Sequence, residues 1–307
     1  MITVDNLRKN YFSDKSGKFA GIGKENGLSF EVNDGEVFGV IGPDGAGKTT
    51  LFRILASLLL PDSGSATMNG IDVVKNYKQI RRIIGYMPGR FSLYQDLSVE
   101  ENLRFFATVF NTTIEENYDL IKDIYQQIEP FKTRRAGALS GGMKQKLALS
   151  CALIHKPDVL ILDEPTTGVD PVSRKEFWDM LKRLKEQGII ILVSTAYMDE
   201  ASRCDRIALM RDGQFIATDT PQGIIDAYAE TLWAVQTENM STSLNDLRSC
   251  SEVLSCFAFG DKHHITVEHG FTKEELSGFL KEKGYRNVKI EAISPSVEDC
   301  FMALTKD

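Results

Sequence analysis

The chain has 307 residues, a length typical of about two domains, and 42% of them are apolar, which is enough for ordinary buried cores. No apolar run approaches the roughly 20 residues that cross a bilayer, so we expect a soluble globular protein. The net charge of -7 disfavours a general nucleic-acid binder, because phosphate-backbone binding needs a basic surface. The start of the chain lacks a signal-peptide pattern, and the five cysteines are scattered, which predicts reduced thiols in the cytoplasm.

The N-terminal segment alternates apolar and polar residues. Residues 2–7 read as an edge strand that continues to Tyr11, and the polar, glycine-bearing segment 13–26 reads as a loop. Residues 28–32 resume a strand, and 33–35 form a turn signal.

Residues 42–50, here called the phosphate loop, carry the strongest chemical signal. They follow a β-branched, apolar run typical of a buried strand and precede a helical pattern from Leu51. The loop residues are Gly42, Pro43, Asp44, Gly45, Ala46, Gly47, Lys48, Thr49 and Thr50. In this setting backbone N–H groups face an anion, Lys48 reaches the β- and γ-phosphates, and Thr49 ligates Mg²⁺. The alternative, a glycine-rich turn that binds nothing, is disfavoured by the Lys-Thr pair and both flanking elements.

The next segment is predicted to be partly β and then mostly helical. A strand pair around residues 65–68 turns at Asn69-Gly70, and a short strand covers 83–87. Ser98 and Glu101 form a capping-box pattern before a helix. Its predicted apolar stripe is Leu103, Phe106, Val109 and Phe110, and a further helix is expected at about 114–129.

A second chemical constellation spans residues 139–164. Ser140, Gly141 and Gly142 open a helix and form a potential phosphate nest, although Ser-Gly-Gly alone is nonspecific. Residues 159–164 form an apolar strand that delivers Asp163 and Glu164 at its end, where open α/β sheets place their chemistry. Asp163 would hold Mg²⁺ through water and Glu164 would polarise the attacking water. The alternative is a charged strand end in water.

The rest of the first domain is predicted from the same patterns. A loop at 165–171 leads to a helix at 173–187 and a buried strand at 188–194. Residues 195–201 enter a helix, and 206–216 form a strand–turn–strand hairpin.

This ordered set of motifs resembles the ATP-binding subunit of ABC transporters over about residues 1–225. The resemblance implies an α/β P-loop NTPase core with an antiparallel β subdomain and a helical subdomain at about 88–155. The implied roles are adenine stacking by Tyr11, Walker A at Gly42 to Thr50, the signature at Ser140 to Gly142, Walker B at Asp163-Glu164 and a D-loop containing Asp170.

The resemblance also implies cofactors and partners. Two such subunits sandwich two MgATP molecules head to tail, so that the signature of one chain touches the γ-phosphate held by the other. We therefore expect ATP and Mg²⁺, a homodimer or heterodimer, an integral membrane permease as partner, and no nucleic acid. The expected location is the inner face of the cell membrane, with this subunit peripheral and cytoplasmic.

Two positions depart from the family pattern. Gly89 stands where glutamine is usual and Ala196 where histidine is usual. Loss of one transition-state donor costs about 10²–10³ in rate, which predicts retained but reduced hydrolysis, with Glu164 and Lys48 as the catalytic pair. The rival interpretation is that the motif tolerates both changes.

Residues 226–307 are predicted to form a small α+β accessory domain. Strands are expected at 232–236, 253–259, 264–267 and 287–293, with helices near 244–247, 273–283 and after Pro295. The Ser-Pro-Ser-Val-Glu-Asp-Cys-Phe ending resembles the tails of exporter-type, drug-efflux-like ABC ATPases. Cys250 and Cys256 lie near three histidines, but the spacing matches no compact zinc pattern.

The leading hypothesis is thus an ATPase that energises export, with residues 89–94 and the following helix as candidates for docking a permease. The alternatives are a soluble ABC ATPase acting on ribosomes or DNA, and a nucleotide-gated subunit with negligible turnover. The sequence does not indicate the transported substrate, because the cargo path lies in the membrane partner.

Overall fold

The structure, a computed structural model, describes residues 1–11 and 20–305. The chain divides into two units, Met1–Pro221 and Gln222–Asp307. Residues 13–19 of the loop predicted at 13–26 lie outside the described residues.

In chain order, the strands described in the first unit are β1 (Ile2–Tyr11), β2 (Ala20–Ile22), β3 (Leu28–Val32), β4 (Val37–Ile41), β5 (Ser63–Met68), β6 (Ile71–Asp72), β7 (Ile84–Met87), β8 (Val159–Asp163), β9 (Ile190–Thr195), β10 (Arg206–Arg211) and β11 (Gln214–Asp219). The helices are α1 (Lys48–Leu55), α2 (Tyr77–Ile83), α3 (Val99–Val109), α4 (Tyr118–Tyr125), α5 (Gly141–Leu153) and α6 (Pro171–Glu186), and α7 (Pro221–Asp226) follows at the unit boundary. Short 3₁₀ turns cover Glu129–Phe131, Ala136–Ala138 and Met198–Arg203.

A largely parallel sheet positions the chemistry of this unit. Its order is β11-β10-β4-β9-β8-β7, and only the β10–β11 pair in that path is antiparallel. Every residue of β4, β8 and β9 is buried, as expected for parallel strands covered on both faces. The carboxyl ends of these three strands therefore lie at one edge of the sheet, next to the loops that follow them.

The second sheet of the first unit is antiparallel. Its order is β2-β1-β5-β6, with β3 also paired to β1. The prediction of an edge strand at residues 2–7 is wrong, since β1 pairs with β5 on one side and with β3 and β2 on the other. The predicted loop is also wrong at Ala20–Ile22, which forms β2. An alternating pattern reports which face is buried but not how many edges are paired.

In the helical segment, the predicted start of α3 is confirmed, but the predicted lengths of the other helices are not. Ser98 and Glu101 form the predicted capping box at the start of α3. Leu103 is fully buried in α3, but Val109 is 55% exposed, so the predicted apolar stripe is incomplete. The helix expected at 114–129 shortens to α4 and a 3₁₀ turn, α2 was not predicted, and the helix expected after Thr195 is a 3₁₀ turn.

The second unit contains β12 (Thr231–Gln236), α8 (Met240–Arg248), β13 (Val253–Phe259), β14 (Lys262–Val267), α9 (Lys273–Glu282), β15 (Lys289–Ala292) and α10 (Val297–Leu304). The sheet order β13-β14-β12-β15 is antiparallel throughout. This β-α-β-β-α-β order is a ferredoxin-like, split βαβ arrangement. Leu247 of α8 and Leu276 and Leu280 of α9 join Trp233 and Ile265 in its core. The predicted strands and helices of this segment are confirmed.

Candidate nucleotide site

The phosphate loop is built by close backbone packing at the end of β4. The Gly42 N–H donates to the Thr195 carbonyl at 3.2 Å, which ties the loop to the end of β9. A Cβ at Gly42 would lie 2.2 Å from the Met210 carbonyl oxygen, so no larger residue fits. Gly47 adopts a φ of 109° at the N-cap of α1, a conformation that favours glycine. The helix consequently begins at Lys48, so the last three residues of the phosphate loop form its first turn.

Lys48 is 3% exposed, and its ammonium is held by three acceptors. Its Nζ donates to the Gly42 carbonyl at 2.7 Å and to the Pro43 carbonyl at 3.0 Å. The same Nζ lies 3.0 Å from Glu164 Oε1. Two hydrogen bonds to the loop and one ion pair thus surround the ammonium. The predicted loop lysine and the predicted base are therefore direct neighbours.

Thr49 and Asp163 form a second contact between the loop and β8. The Thr49 hydroxyl donates to Asp163 Oδ1 at 3.1 Å, and the Ser194 hydroxyl donates to the same oxygen at 2.7 Å. Asp163 is only 2% exposed. Hydroxyl and carboxylate oxygens are the hard ligands that Mg²⁺ takes, directly or through water, so these two residues fit that ion.

Glu164 follows β8 in a strained conformation. Its φ is 50°, in the left-handed region that non-glycine residues rarely occupy. Its N–H donates to the Ser194 carbonyl at 3.1 Å and to the Ser194 hydroxyl at 3.0 Å. The Thr167 hydroxyl donates to Glu164 Oε2 at 3.3 Å. The turn directs the carboxylate to Lys48 while leaving the Glu164 side chain 21% exposed, unlike that of Asp163.

Tyr11 lies beside the start of α1. Its ring is exposed, and its hydroxyl is 3.3 Å from the Thr50 hydroxyl. Adenine stacking by this ring stays a prediction.

Ser140, Gly141, Gly142 and Asp170 form a separate cluster. Ser140 caps α5, and its Oγ accepts from the Met143 N–H at 3.4 Å. A Cβ at Gly142 would lie 2.7 Å from the Ser173 Oγ, so the start of α5 packs on the start of α6. Asp170 caps α6 by accepting from the N–H groups of Val172 and Ser173 at 3.1 and 3.0 Å. These hydrogen bonds, above all that from Ser173, lower the pKa of the Asp170 carboxyl.

The two unusual positions border the site. A Cβ at Gly89 would lie 3.1 Å from the Asp163 carbonyl oxygen, so a side chain there would begin beside the buried carboxylate. Ala196 directly follows Thr195, whose carbonyl accepts from Gly42. Both departures from the expected pattern are therefore local to the site.

Ser194 is the residue that the sequence reasoning missed. It is fully buried and contacts both carboxylate-bearing residues. The only local signal is its place at the end of an apolar strand. The parallel register that pairs Asp163 with Ser194 brings them together across 31 residues of sequence.

Comparison with known proteins gives the family. Residues 25–167 match the family model described as ABC transporter. The Nod factor export ATP-binding protein I of Rhizobium sp. strain N33 is 39% identical over 291 residues, covering 91% of each chain. The chain belongs to the family of ABC transporter ATP-binding subunits. The probable multidrug ABC transporter ATP-binding protein YbhF of Escherichia coli K12 is 38% identical over 281 residues, which is 90% of this chain. This chain spans 48% of the length of that E. coli relative.

The solved structures agree with this assignment. The bacterial ABC transporter cassette MJ0796, solved as a dimer, is 25% identical with a TM-score of 0.63, covering 72% of this chain and 98% of that one. The predicted family and the ABC ATPase fold are thereby confirmed. The ribosome- or DNA-directed alternative is not favoured by these relatives, which are named for transport and export. Within residues 1–11 and 20–305, no helix is long and apolar enough to span a membrane.

Proposed function

We propose that this chain binds MgATP between its phosphate loop and the Asp163-Glu164 pair, and hydrolyses it to drive an exporter embedded in the membrane. One observation carries the proposal: Lys48 Nζ lies 3.0 Å from Glu164 Oε1, and Thr49 Oγ1 lies 3.1 Å from Asp163 Oδ1. The cation, hydroxyl and two carboxylates that phosphoryl transfer requires thus meet at one strand edge.

Lys48 would exchange partners when ATP binds. Its ammonium now bonds to two loop carbonyls and pairs with Glu164, and the phosphates would replace these partners. The exchange costs little, because an ammonium paired with one anion, a carboxylate, moves to another anion, a phosphate. It would also free the Glu164 carboxylate to accept a proton from the attacking water.

Thr49 and Asp163 would hold Mg²⁺, Thr49 as a direct ligand and Asp163 through water. Bound there, the ion would neutralise charge on the β- and γ-phosphate oxygens. Their present hydrogen bond keeps the two oxygen groups together.

A second ATP-binding subunit would complete each site. The transferring phosphoryl group spreads charge over three equatorial oxygens, whereas this chain supplies donors from one side. Ser140 and Gly141 open α5, and the N-terminus of a helix favours a bound anion. The dimeric state of the similar cassette MJ0796 supports such pairing. We propose that the signature of one chain faces the γ-phosphate of the other, in a homodimer or a heterodimer.

A groove next to the predicted docking segment would receive a cytoplasmic segment of the permease. It has a volume of about 340 Å³ and is lined by Phe91, Phe106 and Phe110 together with Arg81 and Arg90. Aromatic walls with basic side chains suit a segment that is apolar and carries an acidic residue. Through this partner the chain would be peripheral at the inner face of the cell membrane.

A nucleotide-gated subunit with very slow hydrolysis is the second candidate. It is favoured by Gly89, which lies beside Asp163 but has no side chain that could bind water, metal or phosphate.

The deciding experiment compares MgATP turnover of the chain with that of Glu164→Gln, while dimerisation is followed by light scattering. We expect turnover to fall about 10²–10⁴-fold, because a general base is lost while the shape is kept. The variant should accumulate an ATP-bound dimer if the homodimer suffices. Glu176→Gln is the matched control, since Glu176 pairs with Lys146 on the surface. ATP binding without turnover in either protein would instead favour the second candidate.

A further inference from the structure

We infer that Ser194 is a positioning residue that holds Asp163 and Glu164 in place for Mg²⁺ and water. The inference rests on the proposed function and adds a residue whose hydroxyl bonds to Asp163 and to the Glu164 N–H. It concerns how the two carboxylates are oriented, not which residues perform the chemistry.

Ser194 connects the two carboxylate-bearing residues through one oxygen atom. Its Oγ donates to Asp163 Oδ1 at 2.7 Å and accepts from the Glu164 N–H at 3.0 Å. A hydroxyl has one donor and two acceptor lone pairs, so it can make both bonds at once. Alanine would lose both, whereas threonine keeps the hydroxyl.

The bond to Asp163 gains importance when the metal binds. Asp163 Oδ1 now accepts from two hydroxyls, those of Thr49 and Ser194. In the proposed function Thr49 turns its oxygen to Mg²⁺. Ser194 is then the remaining hydroxyl on a carboxylate that is only 2% exposed. Partners that orient a metal-binding carboxylate typically contribute about 10–100-fold to metal affinity or activity.

The bond to Glu164 supports an unusual backbone. Glu164 adopts a φ of 50°, and such strain persists only where the surroundings hold it. The Ser194 hydroxyl and carbonyl share the Glu164 N–H, at 3.0 and 3.1 Å. Losing the hydroxyl removes one of these two acceptors, which loosens the turn that directs the Glu164 carboxylate to Lys48.

The adjacent hydroxyl does not duplicate this role. Thr195 is also buried, but its Oγ1 accepts from the Tyr197 N–H at 3.0 Å. Residues 194 and 195 point to opposite faces of β9, as neighbours in a strand do. The parallel register sets Ser194, and not Thr195, opposite Asp163.

The test compares Ser194→Ala with Ser194→Thr in the full chain. The first readout is Mn²⁺ binding in the presence of ATP, titrated by electron paramagnetic resonance, and the second is kcat and KM for ATP. We expect Ser194→Ala to weaken Mn²⁺ binding or lower kcat by about 10–100-fold with little change in the KM for ATP. Ser194→Thr should recover most of the loss.

Ser150→Ala is the matched control. Ser150 is also fully buried, but its hydroxyl donates to the Lys146 carbonyl within α5. The inference is overturned if Ser194→Ala leaves Mn²⁺ binding and kcat at native values, or changes them no more than Ser150→Ala does. Absence of turnover in the native chain would count against the proposed function alone, because Mn²⁺ binding would still test Ser194.

Discussion

The two units both bury ionisable groups, but they use them differently. In residues 1–221, Lys48 is buried against Glu164, which is partly exposed at a strand edge beside a glycine-rich loop. In residues 222–307, Asp299 is equally buried, but its carboxylate accepts from the Ser296 N–H and hydroxyl at 2.8 and 2.6 Å and pairs with His264 at 2.7 Å. The Lys48–Glu164 pair can exchange partners with a ligand. The Asp299 carboxylate instead caps α10 and joins it to β14.

A serine–histidine contact in the second unit makes the same point. Ser243 Oγ lies 3.1 Å from His263 Nε2, a distance typical of a nucleophile and its base. Both residues are almost fully buried, and they also contact the Thr237 hydroxyl and the Met240 carbonyl. The contact therefore holds α8 on β14. Both units pair reactive groups, but of these two contacts only the Lys48–Glu164 pair has a partner that is partly exposed to solvent, and this distinguishes the candidate site from the Ser243–His263 contact.

The largest expected effect is at Lys48. Lys48→Ala should abolish detectable turnover and weaken ATP binding at least about tenfold, because the charge on the β- and γ-phosphates loses its partner. Nucleotide binding can be followed by titration calorimetry. Lys185→Ala is the control, since Lys185 also pairs with a carboxylate, Asp205 at 2.6 Å, away from the loop. Native ATP affinity in Lys48→Ala would contradict the assignment of the site.

The next effect concerns the two unusual positions. Gly89→Gln combined with Ala196→His should raise kcat about tenfold or more, since one transition-state donor is typically worth about 10²–10³ in rate. Gly89→Ala is the control, because it adds a Cβ without a polar side chain. That Cβ would lie 3.1 Å from the Asp163 carbonyl oxygen. Unchanged turnover in the double variant would show that this chain tolerates the departures.

Asp299→Ala should affect stability and leave ATP turnover unchanged. Removing the carboxylate removes its hydrogen bonds with Ser296 and His264, and a hydrogen bond to a charged group typically contributes about 1.5–3 kcal/mol to the free energy of unfolding. The chain has two tryptophans, so a Trp178→Phe background makes Trp233 a fluorescent reporter of the second unit during urea unfolding. A fall in kcat equal to that of Glu164→Gln would erase the proposed contrast between the units.

The smallest effect is a pH dependence at His263. Burial lowers the pKa of His263 below its ordinary 6.5. His263 is therefore protonated at a lower pH in the folded unit than in the unfolded chain. Stability of the second unit should therefore fall as pH drops below about 6.5, because the unfolded state then binds more protons. Urea unfolding of the Trp233 reporter at pH 7.5 and 5.5 measures this. His263→Gln should show a shallower pH dependence than the native chain, and an equal slope would assign the effect to another group.

Local signals in the sequence predicted most elements that have a cap or a strong period. The Ser98–Glu101 capping box, the helix start at Ser140 and the apolar strands β4 and β8 were all predictable. The edge assignment of β1 and the loop at Ala20–Ile22 failed, because strand pairing depends on partners distant in the chain. The split βαβ order of the second unit was not predicted for the same reason.

For this protein, the sequence by itself determined the phosphate loop, the two acids after β8 and the family they indicate. Spacing and residue type are enough to predict the phosphate loop, because a glycine-rich turn with Lys-Thr between a strand and a helix is typical of phosphate binding. The tertiary structure decided the rest: that Lys48 contacts Glu164, that Gly89 borders Asp163, and that Ser194 joins the Asp163 carboxylate to the Glu164 N–H. These contacts arise from the register and order of parallel strands, which long-range packing sets and no local pattern encodes.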